Sequence, residues 1–138
     1  MKPGLTPGTK GTRHFDVGED RCITFMGEAL SIYATPLMVR DVERACREVL
    51  GEFLEEGENS VGSRIELDHL GPTLKGMWVD IDVAVTAVDR RRVDFEVEVR
   101  DPLDVVGRAK HTRFVVLLDK QRERLEAKAA EFAARNKG

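Results

Sequence analysis

The chain of 138 residues is poor in several features that define whole classes of protein. Its two cysteines, Cys22 and Cys46, form neither a disulfide framework nor a zinc ligand set. No uncharged apolar run is long enough for a transmembrane helix, and the opening MKPGLTPGTKGTRHF lacks the apolar stretch of a secretory signal. The net charge is −3 with acids and bases interspersed, so the basic footprint of a nucleic-acid-binding protein is missing. We therefore expect a cytoplasmic protein without a membrane or nucleic-acid partner.

The length and apolar content predict a single domain over residues 1–138. Hydrophobic residues make up 41% of the chain, which is enough for a core without cross-links. Residues 1–11 are rich in glycine, proline, threonine and lysine, and we expect a loose lead-in there. A short strand is expected at Thr12–Val17.

One amphipathic helix is the clearest element in the sequence. Thr35 is a good N-cap and Pro36 a good first helical residue, while Gly57 suits a left-handed cap after an end near Glu55. Apolar residues recur at helical spacing: Met38, Val42, Ala45, Cys46, Val49, Leu50 and Phe53. The opposite face is predicted to be polar: Arg40, Asp41, Arg44, Glu48 and Glu52.

After this helix the apolar period changes from 3.6 to two, which is typical of strands. The first of these strands is predicted to carry one shared face: Val61, Ser63, Ile65, Leu67 and His69. Further strands are expected over 77–87, over 93–99 and up to Leu118, the last with a bulge at Gly107. A charged tail helix over 120–138 closes the chain.

This order of elements predicts an α+β domain, with one helix packed on a five-stranded antiparallel sheet. Short turns between the last four strands favour antiparallel neighbours. A single helix cannot cover both faces and all edges of such a sheet. We therefore expect the sheet to continue into a second copy of the chain.

Four residues are candidates for chemistry, and each also has an ordinary structural explanation. Thr35 is a helix cap, although the N–H groups at that helix start would also stabilise an oxyanion. Glu43 lies at the border of the two helix faces and is either a surface ion pair with Arg47 or a half-buried base. His69 is either a core histidine or a group that meets Glu43 across an interface. Gly62 is either a bulge or a point where a ligand approaches the backbone.

Other chemically versatile residues are given no role. Cys46 is expected to pack in the core, and His14 and His111 to be partly exposed strand residues. Asp80 and Asp82 fit an exposed strand face better than a metal site, and no metal site is expected. Many basic residues are available for a coenzyme phosphate and none is singled out: Lys75, Arg90–Arg92, Arg108, Lys110 and Arg113.

Three blocks of the sequence resemble hotdog-fold acyl-CoA thioesterases, most closely the fluoroacetyl-CoA thioesterase-like group. The first block is Ala34-Thr35-Pro36-Leu37-Met38-Val39 followed by Glu43-Arg44-Ala45-Cys46. The second is Gly57-Glu58-Asn59-Ser60-Val61-Gly62 followed by His69, and a weaker third is Gly107 with His111-Thr112-Arg113. The similarity spans roughly residues 7–120 and leaves the tail helix outside.

The resemblance implies a hotdog fold, in which a curved antiparallel five-stranded sheet wraps a long central helix and two copies join edge to edge. It assigns catalysis to Thr35, Glu43 and His69, and contact with the thioester carbonyl to Gly62, at a site on the dimer interface. The implied activity is hydrolysis of an acyl-CoA with a short or small acyl group to the free acid and coenzyme A. The protein would be a homodimer or a tetramer, with coenzyme A as part of the substrate and no separate cofactor. The fluoroacetyl-specific group has an aromatic lid residue where this chain has Ala29, so we do not expect the fluorinated substrate here.

Three other functions stay open at this point. A non-catalytic dimer would bind acyl-CoA without cleaving it. Hydration of an enoyl-CoA is less favoured, because the helix carries no histidine. In a purely structural dimer, Thr35 would only cap the helix.

Overall fold

The computed structural model describes residues 1–136, which form five strands and two helices in a strand–helix–four-strand–helix order. The strands are β1 (Lys10–Asp16), β2 (Glu58–His69), β3 (Trp78–Asp89), β4 (Arg92–Arg100) and β5 (Val105–Leu117). The helices are α1 (Thr35–Gly51) and α2 (Leu118–Arg135), and two short 3₁₀ turns at Glu19–Arg21 and Glu28–Leu30 precede α1. The expected α+β architecture is confirmed. Residues 137–138 of the expected tail helix lie outside the described residues.

The five strands form one antiparallel sheet in the order β1-β3-β4-β5-β2. The predicted pairings of β3 with β4 and of β4 with β5 are confirmed. The expectation that β2 also neighbours β3 is wrong, because β2 pairs with β5 at the far edge of the sheet. The connection between β2 and β3 is held against the segment before α1, where the Tyr33 N–H donates to the Thr73 carbonyl. This connection carries the chain from one sheet edge towards the other.

Helix α1 packs its apolar face directly on the sheet. Met38, Val42 and Cys46 are fully buried, which confirms the predicted packing role of Cys46. Two glycines permit the close approach: a β-carbon at Gly107 would lie 2.7 Å from the Met38 sulfur, and one at Gly11 would lie 2.6 Å from a Val49 methyl. The bulge expected at Gly107 in β5 lies one residue earlier, at Val106.

The ends of α1 differ from the prediction. Its N-cap is Ala34, whose carbonyl accepts from the N–H groups of Leu37 and Met38, so Thr35 is the first helical residue and makes no cap bond. The helix ends at Gly51, not near Glu55. The Lys2 N–H donates to the Phe53 carbonyl, and the Leu5 side chain is buried. Residues 1–11, expected to be a loose lead-in, therefore pack near the end of this helix.

The structure also corrects the predicted faces of α1 and β2. Asp41, expected on the polar face of α1, is fully buried because the Tyr33 hydroxyl and the Arg21 guanidinium donate to its carboxylate at 2.6 and 2.9 Å. In β2 the register shifts between Gly62 and Arg64. This bulge resets the alternation, so Gly62 shares the inward face with His69, whereas Val61 points outward.

Helix α2 packs lightly on β5 and buries none of its side chains. No helix within residues 1–136 is long and apolar enough to span a membrane.

Candidate active site

The side chains of Thr35 and His69 meet at the start of α1. Thr35 Oγ1 lies 2.7 Å from His69 Nδ1, joining the first residue of the helix to the last residue of β2. Burial lowers the pKa of His69 below its ordinary value, and a backbone hydrogen bond with Gly71 offsets part of this effect. The neutral imidazole is therefore favoured at neutral pH. In the tautomer with the proton on Nε2, the Thr35 hydroxyl donates to Nδ1, which is the arrangement of a hydroxyl beside a general base.

Tyr33 and Asp41 fix the orientation of the His69 ring. The Tyr33 ring meets the His69 ring edge-on, with centroids 6.2 Å apart and planes at 70°. The Tyr33 hydroxyl is itself held by the buried carboxylate of Asp41. Packing on one side and a buried hydrogen bond behind it therefore restrict how the imidazole can turn.

The pair opens into a cavity of about 480 Å³ with a largely apolar lining. Its walls come from the segments on either side of the pair: Ile23, Phe25, Ile32, Tyr33, Ala34, Pro36, Leu70, Gly71 and Pro72. Phe25 and Leu70 are 81% and 53% exposed, so large apolar side chains remain uncovered here. Such a cavity suits a small apolar group held beside the Thr35 hydroxyl.

The start of α1 offers fewer N–H donors than a typical helix. Pro36 has no N–H group, and the N–H groups of Leu37 and Met38 are taken by the Ala34 carbonyl. Within residues 1–136, the Thr35 N–H makes no hydrogen bond. One backbone donor is therefore free to face an oxyanion beside the Thr35 side chain.

The other two predicted site residues, Glu43 and Gly62, lie together at a second position. Glu43 is half-buried, and a β-carbon at Gly62 would lie 3.3 Å from its Oε2 atom. Among the described residues Glu43 forms no ion pair, so the surface pair with Arg47 does not form. Glu43 follows Thr35 by two helical turns, about 12 Å along the axis at roughly 1.5 Å per residue. The four residues thus form two pairs rather than one site within a single chain.

Two residues that the sequence reading left without a role complete the surroundings of Gly62. His111, expected to be partly exposed, is buried: its Nδ1–H donates to the Arg64 carbonyl at 2.8 Å, and Arg113 Nη1 lies 3.2 Å from its Nε2. The other Arg113 nitrogens donate to the hydroxyl and the carbonyl of Ser60. Burial lowers the pKa of His111, so its neutral form accepts from the guanidinium. The alternation along β5 could have indicated that both residues point inward. Polar residues on the outer face of this strand alternate with four inward positions: Gly107, Ala109, His111 and Arg113.

Within the described ranges no cluster of three or more histidine, cysteine, aspartate or glutamate side chains has the arrangement of a metal site.

Comparison with known proteins identifies the family to which this chain belongs. The family model for fluoroacetyl-CoA-specific thioesterases matches residues 17–119. The fluoroacetyl-CoA thioesterase of Streptantibioticus cattleyicolor is 30% identical over 127 residues, covering 87% of this chain and 91% of that protein. A solved Thermus thermophilus protein, described as a thioesterase superfamily member, has a TM-score of 0.87 at 27% identity over 97% of this chain and 99% of its own. A variant of the fluoroacetyl-CoA thioesterase FlK in complex with acetyl-CoA has a TM-score of 0.81 at 27% identity, over 90% and 98% of the two chains.

The fold and these relatives define a hotdog thioesterase, which confirms the fold and the enzyme class expected from the sequence. Because the family model covers most of the chain, this protein belongs to the fluoroacetyl-CoA-specific thioesterase family.

Proposed function

We propose that this enzyme hydrolyses an acyl-CoA thioester with a small acyl group, releasing the free acid and coenzyme A. The observation that carries the proposal is the 2.7 Å contact between the Thr35 hydroxyl and the neutral His69 imidazole, at the wall of a small apolar cavity. Family membership supports the reaction class, and the related structure with acetyl-CoA supports a small acyl group.

In the proposed first step, His69 accepts the Thr35 proton as the Thr35 oxygen attacks the thioester carbon. The carbonyl oxygen gains negative charge, and the free Thr35 N–H faces it. The C–S bond then breaks, and the protonated His69 gives its proton to the departing thiolate of coenzyme A. Thr35 is left as an acyl ester.

In the second step, we assign Glu43 as the base that activates water against this ester. Its half-buried carboxylate is unpaired within the described residues, so it is free to accept a proton. The missing side chain of Gly62 leaves room beside Glu43 Oε2 for a water molecule or a carbonyl group. Glu43 then gives the proton taken from water to the Thr35 oxygen as the bond between that oxygen and the acyl carbon breaks. The acid is released and the Thr35 hydroxyl is restored, without a metal or a separate cofactor.

Because about 12 Å separates Glu43 from Thr35 along one helix, the proposed site draws on two copies of the chain. Strand β2 is an edge strand whose outer side pairs with nothing in the described chain. If two copies of β2 pair antiparallel about a two-fold axis between Ile65 and Glu66, His69 of one copy faces Gly62 of the other. The Thr35–His69 pair then approaches Glu43 of the second copy, and the active unit is a homodimer.

We propose the cytoplasm as the compartment. The two cysteines are unpaired thiols in the fold, which is typical of proteins from reducing compartments.

The proposal is tested by measuring free-thiol release from acetyl-, propionyl-, butyryl- and longer acyl-CoA with purified protein. We expect turnover that is fastest for the small acyl groups. A Glu43→Gln variant, quenched in acid during turnover of acetyl-CoA, should carry one acetyl group on Thr35 by peptide mass analysis, whereas Thr35→Ala should carry none. Binding of acyl-CoA without thiol release would overturn the reaction, and full activity of Thr35→Ala would overturn the nucleophile.

A further inference from the structure

Helix α2 carries an apolar stripe that stays uncovered within residues 1–136. Leu118, Leu125 and Phe132 are spaced by seven residues, so they lie on one side of the helix within about 40°. Leu125 and Phe132 are 57% and 68% exposed, and none of the side chains of α2 is buried. Most helices in folded proteins are stabilised by packing of such a face. The stripe is therefore a candidate contact surface, and it lies almost wholly beyond residue 119, where the family match ends.

A different side of α2 faces its own chain. Among the side chains of this helix, only Gln121 is partly covered. Together with Lys120 and Arg124, it lines a small cleft beside Arg91, in the turn between β3 and β4. At about 100° per residue, this side is turned by roughly a quarter of a rotation from the stripe. The contacts of α2 with its own chain thus leave the stripe free.

A second uncovered apolar surface lies in the segment before α1. Residues 24–30 are all exposed, and three of them are large and apolar: Phe25, Met26 and Leu30. The base of this segment is fixed, because the Ile23 N–H donates to the Ile32 carbonyl. Phe25 also lines the apolar cavity beside Thr35. Clustered exposed apolar side chains of this kind are typical of a protein contact surface.

The proposed dimer brings these two surfaces close together. The Leu118 N–H donates to the Gly57 carbonyl at 2.8 Å, so α2 begins beside the start of β2. When two β2 strands pair with Gly62 opposite His69, the start of one strand lies beside residues 70–74 of the other copy. Because neighbouring strands are about 4.8 Å apart, α2 then begins about 10 Å from this connection of the other copy.

The helix is long enough to reach the exposed segment of that copy. Within each chain, Leu74 pairs with Ile32 at the base of the 24–30 segment. Helix α2 has 18 residues and is about 27 Å long at roughly 1.5 Å per residue. Charge favours the same contact, since Lys128 borders the stripe and the segment carries the exposed carboxylate of Glu28.

We propose that the apolar stripe of α2 packs on the 24–30 segment of a second copy, beside the apolar cavity of that copy. Each α2 then supports one wall of the cavity in the other copy, and both contacts form together because the dimer is two-fold symmetric. This inference rests on the homodimer of the proposed function.

Cross-linking between two different variants tests the contact. In a Cys22→Ser background, Leu125→Cys protein is refolded with an equal amount of Met26→Cys protein and treated with a short bismaleimide. Neither chain carries both new thiols, so a link between positions 125 and 26 must join two copies, and Cys46 is fully buried. Ala127→Cys, on the opposite face of α2, replaces Leu125→Cys as the matched control.

We expect the Leu125→Cys mixture to form this link several times more often than the Ala127→Cys mixture. Equal yields would overturn the proposal. It is also overturned if the main product joins two Leu125→Cys chains, because the stripe would then meet another α2. A chain that carries both Leu125→Cys and Met26→Cys and links only to itself would overturn it as well, because α2 would cover its own segment.

Amide hydrogen exchange of the 24–30 segment gives a second measurement. The turn hydrogen bonds of this segment are local and exposed, so its exchange rate depends on what covers it. Leu125→Gln/Phe132→Gln should speed the exchange several-fold. Ala127→Gln/Ala134→Gln, with the same spacing on the opposite face, should leave it unchanged. Unchanged exchange in the first variant would overturn the proposal.

The contact and the reaction are judged by different measurements. Thiol release without the cross-link would contradict only the contact of α2 with the second copy. The cross-link without thiol release would contradict only the reaction.

Discussion

Thr35 and His69 are 34 residues apart in the chain, yet their side chains lie 2.7 Å apart where α1 begins and β2 ends. Thr35 therefore does not cap the helix, which is the role that its position in the sequence suggests. Ala34 supplies the helix N-cap, and the Thr35 hydroxyl turns to the imidazole instead.

Thr35→Ala should separate catalysis from stability. Because the hydroxyl makes no cap bond, its loss should change the free energy of unfolding by less than the roughly 1 kcal/mol of a typical lost cap. Because the same hydroxyl contacts His69, kcat should fall about 100-fold or more. Thiol release and urea unfolding measure the two effects. Thr35→Ser, which keeps the hydroxyl, is the control, and a variant that is destabilised but fully active would show that Thr35 is only structural.

The loss of activity on the acid side of the pH–rate profile should reflect protonation of His69. Burial lowers its pKa below the ordinary value of 6.5, and the base must be unprotonated to accept the Thr35 proton. Activity should therefore be lost as the pH falls, with a midpoint in kcat/KM below 6.5. His14→Gln should leave this limb in place, because His14 lies on β1 and does not line the cavity beside Thr35. A midpoint above 6.5 would contradict the assignment.

The lowered histidine pKa values also affect stability. An unfolded chain binds a proton at His69 and His111 more readily than the folded one, because burial lowers both pKa values. The free energy of unfolding should therefore decrease as the pH falls from about 6.5 towards the folded-state pKa values. Urea titrations across this range measure the slope. Replacing His111 with Gln should reduce it, and an unchanged slope would count against burial as its cause.

Gly62→Ala tests the space beside Glu43. The new β-carbon would lie 3.1 Å from the His111 ring and 3.3 Å from Glu43 Oε2, which is closer than ordinary contact. We expect kcat/KM to fall about tenfold or more as the carboxylate is displaced. Gly51→Ala is the matched control, since a β-carbon there would meet nothing within 4 Å. Equal activity in both variants would show that the gap has no role.

Tyr33→Phe should act mainly on stability. The ring that packs on His69 is kept, whereas the buried Asp41 carboxylate loses the hydroxyl that donates to it at 2.6 Å. A hydrogen bond to a buried charge contributes about 2 kcal/mol, so the free energy of unfolding should drop by about this amount. The acid limb of the pH–rate profile should stay in place. A shifted limb would mean that the hydroxyl also tunes the imidazole.

Mixing two inactive variants tests whether the site is shared. In a mixed dimer of Thr35→Ala with Glu43→Gln, one of the two shared sites has both functional groups. Refolding an equal mixture should therefore restore about a quarter of the wild-type activity. Mixing Thr35→Ala with His69→Ala is the control, because both changes fall in the same half of the site. No recovery in the first mixture would place the whole site within one chain.

The parts of the fold that depend on local pattern were predictable from the sequence. The 3.6-residue spacing from Met38 to Leu50 predicts α1, and the alternation in β3 and β4 predicts their pairing. The position of β2 was not predictable, because a connection of fixed length does not say which sheet edge the next strand joins. The bulge after Gly62 reverses which side chains point inward, and no local preference of Gly62 or Ser63 reveals that reversal.

The sequence by itself determined the class of protein and the identity of its candidate groups, because residue type and spacing carry both. Only the tertiary structure decided which groups meet. It joined Thr35 to His69, set Glu43 beside Gly62 at two helical turns from Thr35, and buried His111 and Asp41 where the pattern suggested exposure. The physical reason is that these contacts link residues from separate elements, so they depend on strand order and on how closely α1 approaches the sheet.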